Sequence, residues 1–159
     1  MCQALGLFLF VKLTMKTNLQ QAFLSQQVGH CSRLAHAVVR PFYAKSMVSL
    51  DLKPSEFATL SLIQENPGAS QGQVAEAIFV NAQNMANLIE KIESRGLIRR
   101  EASGEDKRSY SLFLTDAGQA LIEQALPKVQ LLENQATAML SEAEKQQLLS
   151  LLNKMIAQS

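Results

Sequence analysis

The chain is poor in the residues that several protein classes require. Its 159 residues include no tryptophan, seven glycines, four prolines and two cysteines. So few turn and aromatic residues argue against a turn-rich all-β protein and against an aromatic platform for single-stranded nucleic acid. Cys2 and Cys31 form neither a disulfide framework nor a metal-ligand spacing, so we expect no metal and no cofactor. Helices should therefore dominate the fold.

The net charge is also small. Fifteen Lys and Arg residues against fourteen Asp and Glu residues leave a formal charge of +1, so the overall field of the protein neither attracts nor repels a polyanion. Any nucleic-acid site has to be local. Apolar residues make up 47% of the chain and charged residues 18%, which is enough for the core of one domain with helical additions.

The first fourteen residues are apolar but match no targeting segment. The run from residue 4 to 11 is too short to span a bilayer, and no basic residue precedes it as in a signal peptide. We therefore expect no membrane association. Residues 1–14 are interpreted as an extension that is disordered or packed at an interface, and Met15 offers an alternative start.

The first half of the chain has the apolar spacing of helices. Residues 19 to about 48 predict a long first helix, bent or reset at Pro41. Pro54 suits the first position of a second helix, which the Asn-Pro-Gly at 66–68 ends. Ser70 and Gln73 form a capping box for a short helix, and Asn81 caps the next one. Two helices joined by a tight turn are predicted.

The pattern changes after Gly96. Residues 97–100 and 109–114 are short strand-like runs, and they flank a charged segment at 103–108, which predicts a hairpin with a charged tip. Thr115 begins a helix that continues to about Met139, bent at Pro127, and a capping box at Ser141 opens an amphipathic last helix. The sequence predicts a mainly α fold with a small β-hairpin wing, in the winged helix-turn-helix order.

The helix capped by Asn81 carries amide side chains opposite its apolar stripe. At 100° per residue, Gln83 and Asn87 lie about 160° and 200° from Met85. Amides bond bidentately to the N6 and N7 edge of adenine, and Asn81 and Asn84 add two more in the first turns. This helix is therefore equipped to read bases. The alternative is that these are ordinary solvated residues and that Asn81 only caps the helix.

The hairpin supplies the cations that phosphate neutralisation requires. Three acidic residues lie among them, so a mixed-charge tip is also typical of a plain solvated hairpin. The four cations are Arg99, Arg100, Lys107 and Arg108.

These segments resemble a known family. Gly-Leu-Ile-Arg-Arg at 96–100, Asp-Lys-Arg-Ser at 106–109 and Leu-Phe-Leu-Thr-Asp-Ala-Gly at 112–118 are similar to the wing signature of the MarR (multiple antibiotic resistance regulator) family of bacterial transcription factors. The resemblance in element order extends from about residue 19 to the C-terminus. It implies a cytoplasmic homodimer that binds double-stranded DNA at a pseudo-palindromic operator, represses nearby genes and is released by a small-molecule effector.

The resemblance also implies a division of the chain and roles for single residues. Residues 15–50 and 116–159 would form the dimerisation helices, and residues 51–115 the DNA-binding domain. The wing aspartate, Asp106, would pair with Lys91 on the recognition helix. Lys107 stands where arginine is frequent, and because lysine cannot fork, minor-groove contact would be weaker or fall to Arg108.

The sequence leaves two kinds of signal for such a regulator, a small ligand or an oxidant. Family members respond to ligands in a cleft between their two parts, or to oxidants through a cysteine in the first helix. Cys31 lies in that helix, where the other interpretation is a small buried or interface residue. His36 and Arg40 lie four residues apart and either bind an acidic ligand or form an interface pair.

Two other function classes remain. A winged helix also suits a protein-interaction scaffold, whose binding would be insensitive to salt, unlike binding to several phosphates. An enzyme is the weakest interpretation, because the chain has two histidines and neither a glycine-rich phosphate loop nor a nucleophile elbow.

Overall fold

A computed structural model describes residues 19–102 and 110–157, and the chain divides into two units, one up to Arg40 and the other from Pro41. It is mostly helical with one antiparallel hairpin, as predicted. The extension at 1–14 and the hairpin tip lie outside the described residues. No helix within the described ranges has the length and apolar character needed to cross a membrane. The elements are α1 Val28–Met47, α2 Pro54–Glu65, α3 Gln71–Ala77, α4 Ala82–Ser94, β1 Ile98–Ala102, β2 Tyr110–Leu114, α5 Asp116–Ala136 and α6 Glu142–Ile156.

The first unit contains the start of α1, later than the apolar spacing predicted. A 3₁₀ turn at Leu24–Gln26 comes first, and Gln27 has an extended backbone that separates it from α1. The prediction of one helix from residue 19 was therefore wrong, because apolar spacing marks a face and not the backbone conformation. α1 then continues through Pro41 as one helix to Met47.

The core of the second unit gathers around α2. Leu60 and Ile63 of α2 are buried, as are Ile122 and Ala125 of α5. α2 packs against α5 and against β2. α2 begins at Pro54, as predicted, because proline lacks the N–H that the first helical position would leave unpaired.

The helix-turn-helix forms through the predicted caps. Ser70 Oγ accepts from the backbone N–H of Gln73 at 3.2 Å, and the Gln73 side chain accepts from the Ser70 N–H at 2.8 Å. α3 then packs against α4. Asn81 Oδ1 accepts from the Asn84 N–H at 2.9 Å and so fixes the first turn of α4.

The hairpin pairs β1 with β2 in a register that places Ile98 opposite Leu114. A contact that the sequence did not reveal joins it to the loop before α3. Leu112 donates its N–H to the Ala69 carbonyl at 3.0 Å and accepts from the Gly68 N–H at 2.9 Å. These bonds hold the hairpin base beside the helix-turn-helix.

One junction explains the Thr and Gly of the wing signature. Thr115 Oγ1 accepts from the Gly118 N–H at 3.1 Å, which caps α5, and donates to the Gly96 carbonyl at 2.6 Å. Gly96, which follows the end of α4, has a φ of +70°, a left-handed conformation that glycine adopts without strain. A Cβ at Gly118 would lie 2.0 Å from the carbonyl oxygen of Leu97. The two chain segments can meet only if residue 118 has no side chain.

We predict that Gly118→Ala destabilises the protein by about 3 kcal/mol, because backbone has to move to admit the methyl group. Gly29→Ala is the matched control: nothing lies within 4 Å of a Cβ there, and the substitution stabilises by about 0.5 kcal/mol through the unfolded chain. Urea unfolding measures both variants. Equal stability of Gly118→Ala and wild type would refute the close approach.

Candidate nucleic-acid interface

The recognition helix candidate, α4, has one buried and one solvent face. Met85 and Ile89 are fully buried, whereas Gln83, Asn84 and Asn87 are exposed. Gln83 Nε2 donates to Asn87 Oδ1 at 3.2 Å, so the two amides lie together one turn apart. The solvent orientation expected from the helical spacing is therefore what the structure has.

Asn81 differs from the other three amides. Its side-chain oxygen is occupied by the Asn84 N–H, so only its amino group is left to donate. Bidentate recognition of adenine needs a donor and an acceptor from the same amide. Asn87 Oδ1 also accepts a hydrogen bond, from Gln83 Nε2, but that bond joins two exposed side chains and can open without disturbing the helix cap. Gln83, Asn84 and Asn87 are therefore the amides of α4 that could offer both a donor and an acceptor to a base.

The side chain that anchors α4 is Glu56, a fully buried carboxylate on α2. Lys91 Nζ donates to its Oε1 at 2.5 Å, and Arg95 Nη1 donates to its Oε2 at 3.1 Å. The backbone N–H of Lys53 also donates to Oε2, at 2.9 Å. A buried charge is tolerated only when it is paired and hydrogen-bonded in this way. The contact fixes the C-terminal half of α4 against α2.

The surroundings of Glu56 favour its ionised form. Burial alone would raise the pKa of Glu56, but the Lys53 N–H and the charges of Lys91 and Arg95 outweigh it and hold the pKa below its usual value. The same carboxylate affects Tyr43: burial and then the negative charge of Glu56 raise the pKa of Tyr43 to about 12. Glu56 is therefore a charged group at neutral pH.

Lys91 thus has a partner on α2. The family pattern assigned it to Asp106, which lies outside the described residues, so that pairing stays a prediction. The Lys91 side chain is 44% exposed, which leaves part of it open to solvent.

The two arginines of β1 differ in how far they are engaged. Arg99 is half-exposed and pairs with Glu101 at 3.0 Å, donates to the Leu114 carbonyl at 2.8 Å and lies over the ring of Phe113. Arg100 is 29% exposed and binds Glu93 of α4 at 2.6 Å. Arg99 therefore remains partly open to solvent, whereas Arg100 links the hairpin to the end of α4.

Comparison with known proteins identifies the family to which the chain belongs. The family model described as the MarR family matches residues 50–109. A proposed transcriptional regulatory protein for the hcr operon of Thauera aromatica is 34% identical over 132 residues, which cover 81% of this chain and 78% of that protein. The chain belongs to the MarR family.

Solved structures of MarR-type regulators show the same fold. The repressor CouR, bound to a 23-mer DNA duplex, has a TM-score of 0.81 and 29% identity, covering 88% of this chain and 99% of that chain. BpsR of Bordetella bronchiseptica, whose DNA binding 6-hydroxynicotinic acid regulates, has a TM-score of 0.75 and 25% identity, covering 82% and 98%. The protein is accordingly a DNA-binding transcriptional regulator.

The other candidate site residues from the sequence fall into two groups, those of the hairpin tip and those of α1. Asp106, Lys107 and Arg108 lie in the tip, outside the described residues. The candidate sensing residues of α1 are described: Cys31 is exposed and its Sγ lies 3.4 Å from the Ser25 carbonyl oxygen. His36 and Arg40 are both exposed, so each is accessible to a ligand or a partner subunit.

Sequence reasoning missed three residues on or behind this candidate surface. Glu56 and Arg95 were not selected, because their contact joins residues 39 apart in the chain and no local pattern reports it. Glu90 was also overlooked, although its spacing from Gln83 and Asn87 places it on the same exposed face of α4. The helical count that found the amides would have found Glu90 too.

We predict that Glu56→Gln lowers the free energy of unfolding at pH 7 by about 1.5–3 kcal/mol, because charge-assisted hydrogen bonds to two cations are lost. Glu65→Gln, an exposed change on the same helix, is the control and should have little effect.

The stability lost in Glu56→Gln should become smaller as the pH falls. Because the pKa of Glu56 is lowered on folding, its stabilising contribution is full above the unfolded value, about 4.3, and declines as the pH falls through the folded value. Urea unfolding between pH 7 and pH 3 should show wild type and Glu56→Gln converging toward acid. A difference that stays constant over this range would contradict the charged pair.

Proposed function

We propose that the protein is a homodimeric repressor that binds a pseudo-palindromic operator in double-stranded DNA and is released by a small ligand. The observation that carries the proposal is the exposed amide face of α4, held by the buried Glu56 pair beside the hairpin. A winged helix-turn-helix presents its second helix to the major groove in this way. The similarity to CouR bound to duplex DNA supports it.

The residues divide into base-reading and phosphate-binding groups. Gln83, Asn84 and Asn87 would read base edges from the first half of α4. Arg99 would contact the backbone beside them, since breaking its exposed pair with Glu101 costs little. The hairpin tip would reach the next groove through Lys107 and Arg108. Arg100 is assigned to holding the hairpin on α4 through Glu93.

Exposed apolar side chains at the C-terminal end support a dimer. Leu148, Leu149, Leu151 and Met155 of α6 are each between 43% and 54% exposed. An isolated chain rarely leaves so many large apolar groups on one short helix in water, and such a surface is typical of an interface. A second copy would cover it and set the distance between two recognition helices.

The proposed effector is an aromatic carboxylic acid. The similarity to BpsR, whose DNA binding 6-hydroxynicotinic acid regulates, supports this class, and α1 offers the exposed imidazole of His36 beside the exposed guanidinium of Arg40. The ligand would favour a dimer in which the two recognition helices no longer match the groove spacing. It has to bind that state more tightly than the DNA-binding state, or it would shift nothing.

Selection of bound fragments from random duplex DNA tests the proposal. Wild type should enrich one palindromic sequence, and Gln83→Ala or Asn87→Ala should lose discrimination at particular positions, by about 1–3 kcal/mol each. Lys107→Ala should instead weaken binding almost equally on all sequences and reduce the salt slope by about 1.

Two results would contradict this assignment. Selection profiles of Gln83→Ala and Asn87→Ala identical to that of wild type would show that α4 does not read bases. Binding of wild type that does not change with salt would favour the protein-interaction scaffold, because contacts to phosphates release counterions.

The dimer is tested by Leu148→Glu, which puts a charge on the exposed apolar surface of α6. We expect a monomer at micromolar concentration by analytical ultracentrifugation and at least a tenfold loss of operator affinity, since each half-site would be bound alone. Gln147→Glu, at a neighbouring exposed position, adds the same charge and should remain a dimer. Wild type that sediments as a monomer would contradict the proposal.

A further inference from the structure

The turn before the recognition helix contains a residue in an unfavourable backbone conformation. Phe79 has a φ of +54°, in the left-handed region where a Cβ meets the neighbouring carbonyl. Only one other described residue besides glycine has a positive φ, Asp51, and aspartate tolerates it far better than a bulky aromatic. Phe79 is therefore the strained position of the described residues.

The conformation follows from how α3 ends. The Phe79 N–H donates to the Glu76 carbonyl at 3.1 Å, and the Val80 N–H donates to the Ala75 carbonyl at 2.9 Å. These two bonds form the Schellman arrangement that closes a helix with a left-handed residue, where glycine is the usual choice. The turn of a helix-turn-helix motif also often contains glycine. A phenylalanine at this position works against the local backbone.

Burial of the Phe79 ring does not offset this strain, because the side chain is 69% exposed. A large apolar ring normally contributes to stability by leaving water, and this ring has not left it. The end of α3 accounts for the left-handed backbone, but not for a bulky aromatic residue at that position with its ring in solvent. We infer that the ring serves a contact outside the folded chain.

The position of Phe79 indicates what the ring would contact. It lies two residues before the N-cap Asn81 and four before Gln83, at the end of α4 that faces the base edges in a winged helix. In the major groove the apolar feature of a base is the 5-methyl group of thymine, which phenylalanine contacts.

We propose that Phe79 reads thymine, by placing its ring against a thymine 5-methyl group in each half-site of the operator. The inference rests on the proposed function, because it requires that α4 enter the major groove. It adds an apolar specificity contact to the hydrogen-bonding amides of α4, and it gives a reason for an aromatic residue in a turn where glycine would fit.

The test uses the operator that fragment selection yields, with single thymines replaced by uracil. Uracil removes the methyl group and leaves base pairing unchanged. For wild type, uracil at one symmetric position should weaken binding by about threefold to fivefold per half-site, as expected for one exposed methyl group. Uracil at the other thymines should have smaller effects.

The decisive variant is Phe79→Gly. It should bind the thymine operator more weakly than wild type and respond no longer to uracil at that position. At the same time it should raise the Tm by about 2–4 °C, because glycine relieves the backbone. Phe79→Leu keeps an apolar side chain and should retain part of the thymine preference, whereas a merely structural role of Phe79 would leave the preference unchanged in every variant.

Three outcomes would overturn the proposal. Equal uracil sensitivity of wild type and Phe79→Gly removes Phe79 from base reading. Weaker binding by Phe79→Gly with no uracil sensitivity in wild type assigns the ring to the sugar-phosphate backbone or to another protein. Wild type that selects no DNA contradicts the proposed function as well, and only this last result does so.

Discussion

The buried carboxylate of Glu56 is the constraint on which the position of α4, the proposed recognition helix, depends. It joins α2 to Lys91 and Arg95 of α4 and the turn after it, while Met85 and Ile89 pack the same helix into the core. A helix held by apolar contacts alone can slide or rotate by small amounts, because such contacts are not directional. Two charge-assisted hydrogen bonds to a fixed carboxylate are directional. They set the rotation of α4 and thus the face that meets solvent.

The ion pairs also show how the charges around α4 are distributed in a chain whose net charge is +1. Two cations of the α4 region are bound to Glu56, and the arginines of β1 are bound to Glu93 and Glu101. The exposed face of α4 that carries Gln83 and Asn87 consists mainly of neutral amides, with one carboxylate, Glu90, toward the C-terminal end of the helix. Specificity would then come from hydrogen-bond geometry on α4, and affinity from hairpin cations such as Arg99, whose exposed pair with Glu101 can exchange carboxylate for phosphate at small cost.

Much of this followed from the sequence, because it is local. Caps at Ser70 and Asn81 and the 3.6-residue spacing of α4 are set by neighbours in the chain, so the helix-turn-helix and its amide face could be predicted. The start of α1 could not, since Gln27 breaks a spacing that continues across it. The ion pair at Glu56 spans 35 and 39 residues and depends on tertiary packing, which no local pattern records.

The most direct measurement places a DNA-cleaving iron chelate on the amide face of α4. The carrier is Glu90→Cys, on the same exposed face as Gln83 and Asn87, in a chain with both native cysteines changed to serine. We expect strand cleavage in two short clusters about one helical turn apart, one per half-site. The same chelate on Gln124→Cys, exposed on α5, serves as reference. Dispersed cleavage, or a pattern equal to that of the reference, would contradict the entry of α4 into the groove.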